Sequence, residues 1–222
     1  MLVAGPTTVV RVIRYGDTQI DDWRHYPARE LRADNPQPFG TGDAEAPIEM
    51  VSLFDGRQAE LGDLLARNDS IAFLVVHHDQ LIEERYFQGH GPEQISQIFS
   101  VSKSFVATLI GAAIQEGLIE SLDQPVTDFL PEMAEQGWDE VSLRNLLTMT
   151  SGSDYRENDN PFGEHVNFNY TPELEAHILE MRVVDEPGGE WLYKSGDNAL
   201  LSLILERAAQ PRTLTDFTQE KL

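Results

Sequence analysis

Ser100 and Lys103 stand three residues apart in the run Phe99-Ser100-Val101-Ser102-Lys103-Ser104-Phe105, an S-x-x-K spacing that brings a hydroxyl beside an amine. From Val101 to Ile114 the chain reads VSKSFVATLIGAAI, good helix formers with no proline, so residues three apart lie on one face, one turn from each other. A serine hydroxyl is a poor nucleophile at its own pKa and needs a neighbouring base, which a lysine becomes when burial and nearby charge leave it neutral. The pair could therefore make an activated serine, with Ser100 attacking and Lys103 taking its proton. A helix beginning here would add unpaired N–H groups and the positive end of its dipole, both favourable to an oxyanion. S-x-x-K is also the pattern of an ordinary helix start with an exposed lysine. Lysine usage weighs against that reading: the chain has only Lys103, Lys194 and Lys221, and Lys103 falls in its most apolar helix.

That helix must be held by the elements around it. Val101, Phe105, Leu109 and Ala112 line one side and Val106, Ile110 and Ala113 another, which predicts a helix inside the molecule. Ahead of it, Ile71–His77 (IAFLVVH) and Leu81–Phe87 (LIEERYF) predict a hairpin turning at His78-Asp79-Gln80, with the first strand more deeply buried. His77, His78 and Asp79 are metal-ligating types, but adjacent histidines on a strand point to opposite faces, so no metal site is expected there. Earlier still, Leu61–Ala66 reads as a short helix, Thr7–Tyr15 (TTVVRVIRY) as a strand or extended arm ending in a Gly-Asp turn, and Asp17–Pro47 as an irregular arm. Downstream, Gly117 stops the apolar helix and Pro125 marks a loop. Ser142 is placed to cap a helix over Leu143–Met149 that ends at Thr150-Ser151-Gly152. Ser153–Tyr170 has the composition of a lid or cleft-edge loop. Thr171 and Pro172 open a helix over Glu173–Arg182, Pro187-Gly188-Gly189 breaks the chain, and Ala199–Ala208 is a second apolar helix.

A chain of 222 residues, 41% of them hydrophobic, can bury a sizeable core as one large domain or two small ones. With no cysteine it has no disulfide, no thiolate nucleophile and no cysteine-bound zinc. A formal charge of −22 and a pI near 4.4 argue against nucleic acid and anionic membrane surfaces as partners, and hint at a salty habitat. No run reaches the roughly eighteen apolar residues of a membrane span, and Met1-Leu2-Val3-Ala4 is too short for a signal sequence, so the chain reads as soluble.

Taken in order, Phe99-Ser100-Val101-Ser102-Lys103-Ser104, Gly117-Leu118 with Leu122-Asp123-Gln124-Pro125-Val126, Leu146-Leu147-Thr148-Met149-Thr150-Ser151-Gly152, and Pro187-Gly188 with Tyr193-Lys194-Ser195 resemble the β-lactamase-related serine hydrolases. The likeness runs over about Ile71–Leu222 and leans toward the class C β-lactamase-like branch, with its family VIII carboxylesterases and 6-aminohexanoate-dimer hydrolases. It implies an α/β (α+β), β-lactamase/transpeptidase-like fold: an antiparallel sheet flanked by helices, plus a helical subdomain. Its expected parts are an arm at 1–60, an α/β part with hairpin and nucleophile helix at 61–121, a helical subdomain at 122–189, and a second-motif loop with the start of the return at 190–222.

The same resemblance implies Ser100 as acylated nucleophile, Lys103 as its base, and Tyr193 as the phenol that shuttles protons. Ser195, where many relatives have asparagine, becomes a polar orienter of substrate, and Lys194 a solvated loop charge. No metal and no organic cofactor are implied. The expected partner is a small ester, amide or β-lactam that acylates Ser100 and is then released by water. The family's third motif, a K-T-G or H-x-G strand that supplies half of the oxyanion hole, has no counterpart after Ser195, which reads as a chain cut before its last strands. Two other readings stay open: a penicillin-binding or β-lactam-sensing module acylated without efficient turnover, and an inactive fragment.

Overall fold

Pro6 at the first helical position, with Gly5 as N-cap, starts a helix where strand-like residues stand: Pro6–Tyr15 is α1, not the expected strand or arm. β-branched residues cost a helix no more than about 0.7 kcal/mol each, and tertiary contacts override that. Here Arg11 donates to the Tyr170 carbonyl at 3.1 Å, and the Tyr170 hydroxyl donates to the Gly16 carbonyl at 2.7 Å. The computed structural model describes residues 5–16, 18–42, 48–157 and 163–222. The expectations placed on Met1–Ala4, on Asp17, on 43–47 of the arm and on 158–162 of the Ser153–Tyr170 loop lie outside the described residues. The chain divides into two compact units, residues 32–96 and residues 1–31 with 97–222.

The 32–96 unit holds β1 (Gly40–Thr41), β2 (Met50–Ser52), β3 (Gln58–Glu60), α2 (Leu61–Arg67), β4 (Ala72–His77) and β5 (Gln80–Tyr86). The helix at α2 and the hairpin of β4 and β5 stand where the sequence predicts them. β4 and β5 pair antiparallel from Ala72↔Tyr86 to His77↔Gln80, with a bulge between Val75 and Val76. β1 adds to β5 in parallel, so this sheet is mixed rather than wholly antiparallel, in the order β1-β5-β4. β2 and β3 form a separate antiparallel pair. The order reverses one expectation: the more apolar strand, β4, is at an edge, and its Leu74 and Val76 stay 50% and 42% exposed. A second correction comes from the turn. His78 and Asp79 take φ of 49° and 58°, so His78 leaves the strand and its ring centroid lies 3.9 Å from that of His77, not on the opposite face. Among the described residues no three His, Cys, Asp or Glu side chains gather as metal ligands would.

In the other unit a 3-10 turn, Phe99–Val101, leads into α3 (Ser102–Gln115), followed by α4 (Leu143–Leu147), α5 (Glu164–Tyr170), α6 (Leu174–Leu179), α7 (Ser195–Ala208) and α8 (Leu214–Lys221). α7 is the centre: α3, α4 and α6 pack on it, and α8 packs on α3. Ile110, Ala113, Leu146, Leu200, Ile204 and Phe217 are buried between them, each large aliphatic contributing about 1.5–3 kcal/mol. The Trp138 indole N–H donates to the Met181 carbonyl at 2.8 Å, which satisfies the one polar atom of a fully buried ring. α3 is not interior all round, as its composition predicts. α7 and α8 cover the face of Leu109, Ile110 and Ala113, while Val101 and Phe105 remain 59% and 46% exposed.

Local signals in this unit mostly hold. The Ser142 hydroxyl accepts from the Asn145 N–H, and the Asn145 side chain accepts from the Ser142 N–H, a full capping box. α4 stops two residues early, before Met149 takes a φ of 55°. The Thr171 hydroxyl accepts from the Glu173 N–H, so it caps a turn, and α6 begins only at Leu174. α7 begins at Ser195, four residues ahead of the apolar run that announces it, because residues 195–198 form its polar first turn. No helix of the described residues is long and apolar enough to cross a membrane.

Candidate active site

Phe99 carries a φ of 45°, a left-handed conformation costly for a bulky residue, and the chain recovers at once into the 3-10 turn that holds Ser100. The Ser102 hydroxyl donates back to the Phe99 carbonyl at 2.6 Å and fixes that turn. Lys103, on the first turn of α3, then reaches back along its own helix face to donate from Nζ to Ser100 Oγ at 3.0 Å. Tyr193 arrives from the other side of the unit. The Leu192 N–H donates to the Met149 carbonyl at 3.2 Å, and Tyr193 stands just before the N-cap residue of α7. Its phenol donates to Ser100 Oγ at 2.7 Å, with Lys103 Nζ 5.0 Å from its ring centroid.

The three residues singled out from the sequence thus meet at one oxygen. Burial pushes the Tyr193 phenol up, but hydrogen bonding with Ser100 and Lys103, and the charge on Lys103, outweigh it and leave the phenol below its ordinary value. Two donors on Ser100 Oγ are what an alkoxide or a departing alkoxyl oxygen requires, and each can carry a proton.

Beside Ser100 lies a cavity of about 550 Å³, walled by apolar residues such as Phe99, Phe168, Leu174 and Ile178 and carrying the Glu206 carboxylate, which has no partner among the described residues. Ser195 also lines it, but its hydroxyl donates to Glu157 Oε1 at 2.9 Å, so the expected substrate orienter reaches the cavity with its proton already committed. Glu157 also accepts from the Ser195 N–H at 3.0 Å and sits 3.0 Å from His165 Nδ1. Burial alone would raise Glu157; the bonds from His165 and Ser195 overcome it and hold the carboxyl down to about 2. Sequence reasoning missed Glu157 and His165: both stand in Ser153–Tyr170, read from its composition as a cleft-edge loop, whereas Glu164–Tyr170 is α5 and carries His165.

Lys194 corrects the sequence reading outright. Expected as a solvated charge, it is 1% exposed, and its ammonium donates to the carbonyl of Ser153 and to Ser153 Oγ, the latter at 3.2 Å. Asp197 is fully buried beside it and accepts from Ser151 Oγ at 2.7 Å and Ser153 Oγ at 3.4 Å. Burial lowers Lys194 and raises Asp197 to about 6; their mutual attraction and the serine hydroxyls offset only part of that. The lysine scarcity that points to Lys103 points equally to Lys194, and that was the available signal.

Residues 59–222 match the beta-lactamase family model. A 6-aminohexanoate-dimer hydrolase of Paenarthrobacter ureafaciens is 29% identical over 212 residues, which cover 86% of this chain and 54% of that protein. A beta-lactamase of Providencia stuartii is 41% identical over a shorter stretch, 28% of this chain and 18% of its own. Among solved structures, a Bacillus anthracis protein provisionally named a 6-aminohexanoate-dimer hydrolase superposes with a TM-score of 0.69 at 21% identity, over 83% of this chain and 52% of its own. A class C beta-lactamase superposes with a TM-score of 0.55 at 22% identity, over 73% and 45%. At these identities the superpositions establish the fold, which is β-lactamase/transpeptidase-like. The chain spans about half the length of these longest-matching relatives.

Proposed function

This chain belongs to the beta-lactamase family, and on that premise we propose that it carries the nucleophile, base and proton-shuttling residues of a serine hydrolase acting on a small ester or amide. The observation that carries the reading is the convergence of Lys103 Nζ and the Tyr193 phenol on Ser100 Oγ. The acylation step starts from the neutral Lys103 amine, which takes the Ser100 proton as Oγ attacks the acyl carbon. The positive end of the α3 dipole, two residues after Ser100, favours the oxyanion that forms. Tyr193, touching the same oxygen, delivers the proton to the leaving alcohol or amine. Water then attacks the acyl-Ser100 ester, gives its proton to the Lys103–Tyr193 pair, and Ser100 leaves reprotonated. Each proton given up has an acceptor, and the cycle returns all three residues to their starting states.

The relative from Paenarthrobacter ureafaciens is named for a linear amide, and the cavity supports a substrate of that shape. Its apolar wall suits a methylene chain, and the unpaired Glu206 carboxylate suits a cationic end. A chain with a net charge of −22 favours cations over anions in its clefts. The test is turnover of p-nitrophenyl acetate and of a linear ω-amino-acid amide. Product beyond one equivalent per chain, absent in Ser100→Ala, supports hydrolysis. Release that stops at one equivalent sinks it in favour of an acylated binding module.

A further inference from the structure

We propose that the buried Lys194, Ser153 and Asp197 side chains form a relay that positions Tyr193 on Ser100, a role that rests on the serine-hydrolase reading above. Lys194 is extended, with φ −139° and ψ 109°, so its side chain and that of Tyr193 leave the backbone on opposite sides. Fixing the ammonium therefore fixes the phenol. The ammonium is gripped by Ser153 through both carbonyl and hydroxyl, and Ser153 Oγ passes the connection to Asp197 Oδ1, which Ser151 also holds. The relay thus ties the segment that follows α4 to the segment that opens α7.

Stability alone does not explain it. A buried ammonium and carboxylate without direct contact are costly, and apolar residues of like volume are often as stable or more so. Asp197 Oδ2 is buried with no hydrogen-bond partner among the described residues, so the charge is kept although it is incompletely satisfied. What the relay provides is register. A Cβ on Gly152 (φ 72°) would come within 2.2 Å of the Asp185 carbonyl oxygen, and one on Gly196 within 2.8 Å of the Tyr155 ring. The backbones on both sides of the relay are therefore pressed against their neighbours and cannot slide. With the Leu192 N–H on the Met149 carbonyl and Ser195 held by Glu157, the motion left open is a twist of the backbone at Tyr193 and Lys194, which would swing the phenol off Ser100 and pull Lys194 from Ser153.

The test uses the full chain and compares wild type, Lys194→Met, and the double variant Lys194→Met/Asp197→Asn, in which both buried charges are gone. Ser100 labelling by a fluorophosphonate is resolved into its reversible affinity and its maximal rate. Tyr193 ionisation is followed as the ultraviolet difference between each protein and its Tyr193→Phe partner. In the double variant we expect folding at least as stable as wild type, unchanged affinity, a maximal labelling rate at least about tenfold lower, and a phenol that titrates nearer its ordinary range. A merely structural pair would give back both the rate and the titration once stability returns, and that result overturns the proposal. Should Lys194→Met alone fail to fold, the double variant carries the comparison. If wild type is not labelled at Ser100 yet the phenol still shifts, the positioning stands and the hydrolase reading falls. If both proteins label alike, the hydrolase reading stands and the positioning falls.

Discussion

Asp197→Asn replaces a fully buried carboxylate with a neutral side chain of the same shape, and the structure sets the size and sign of what should follow. The folded carboxyl titrates at about 6 against an ordinary 3.8, chiefly because burial disfavours its charge. The folded protein holds this proton more tightly than the unfolded chain. The carboxyl's favourable contribution is therefore complete below pH 3.8 and lost as pH rises through about 6. A shift of about two units at 1.36 kcal/mol each amounts to about 3 kcal/mol over that range. Asparagine does not titrate, so urea unfolding of both proteins between pH 4 and 8 isolates the effect from the other acidic groups. The stability of Asp197→Asn relative to wild type should climb by about 2–3 kcal/mol between pH 4 and 7 and level off above that. A difference that stays flat, or falls, would show that Asp197 is not the strained buried acid described here.

Lys103→Arg keeps the charge but cannot give up its proton, so Ser100 acylation should slow by about 10²–10⁴-fold with the melting temperature unchanged, and a near-normal rate would remove Lys103 as the base. Gly152→Ala should lower stability by more than about 2 kcal/mol in urea, since the residue combines a left-handed φ with a 2.2 Å approach to the Asp185 carbonyl; a neutral result would place that segment elsewhere. Ser142→Ala, which removes the hydroxyl half of the α4 capping box, should cost about 1 kcal/mol by the same measurement, and no loss would mean the box is not formed.

The Ser100–Lys103 pairing was legible because it is local: Ser100 stands in the 3-10 turn that leads directly into α3 and Lys103 on the first turn of α3, and the three-residue spacing brings them within 3.0 Å. Ser142 as a cap and the hairpin of β4 and β5 were legible for the same reason, each resting on residues a few positions apart. Tyr193, 93 residues from Ser100, came only through the resemblance; its place at 2.7 Å from Ser100 Oγ depends on the turn after α4 and the start of α7. α1 was misread because β-branched residues favour strands on average, while Pro6 and the contacts with Tyr170 decide the matter locally. The burial of Lys194 left a single trace in the sequence, the scarcity of lysine. Its partner Ser153 lies 41 residues earlier, at the start of a stretch that reads only as a cleft-edge loop, and nothing there announces a buried ammonium.

The measurement that bears most directly on the central claim is the position of a covalent adduct. After incubation with a fluorophosphonate or a slowly released β-lactam, mass spectrometry of the digested protein should find one adduct on the peptide containing Ser100, its formation slowed in both Lys103→Arg and Tyr193→Phe. An adduct on any other residue, or labelling that persists in Ser100→Ala, would contradict the account.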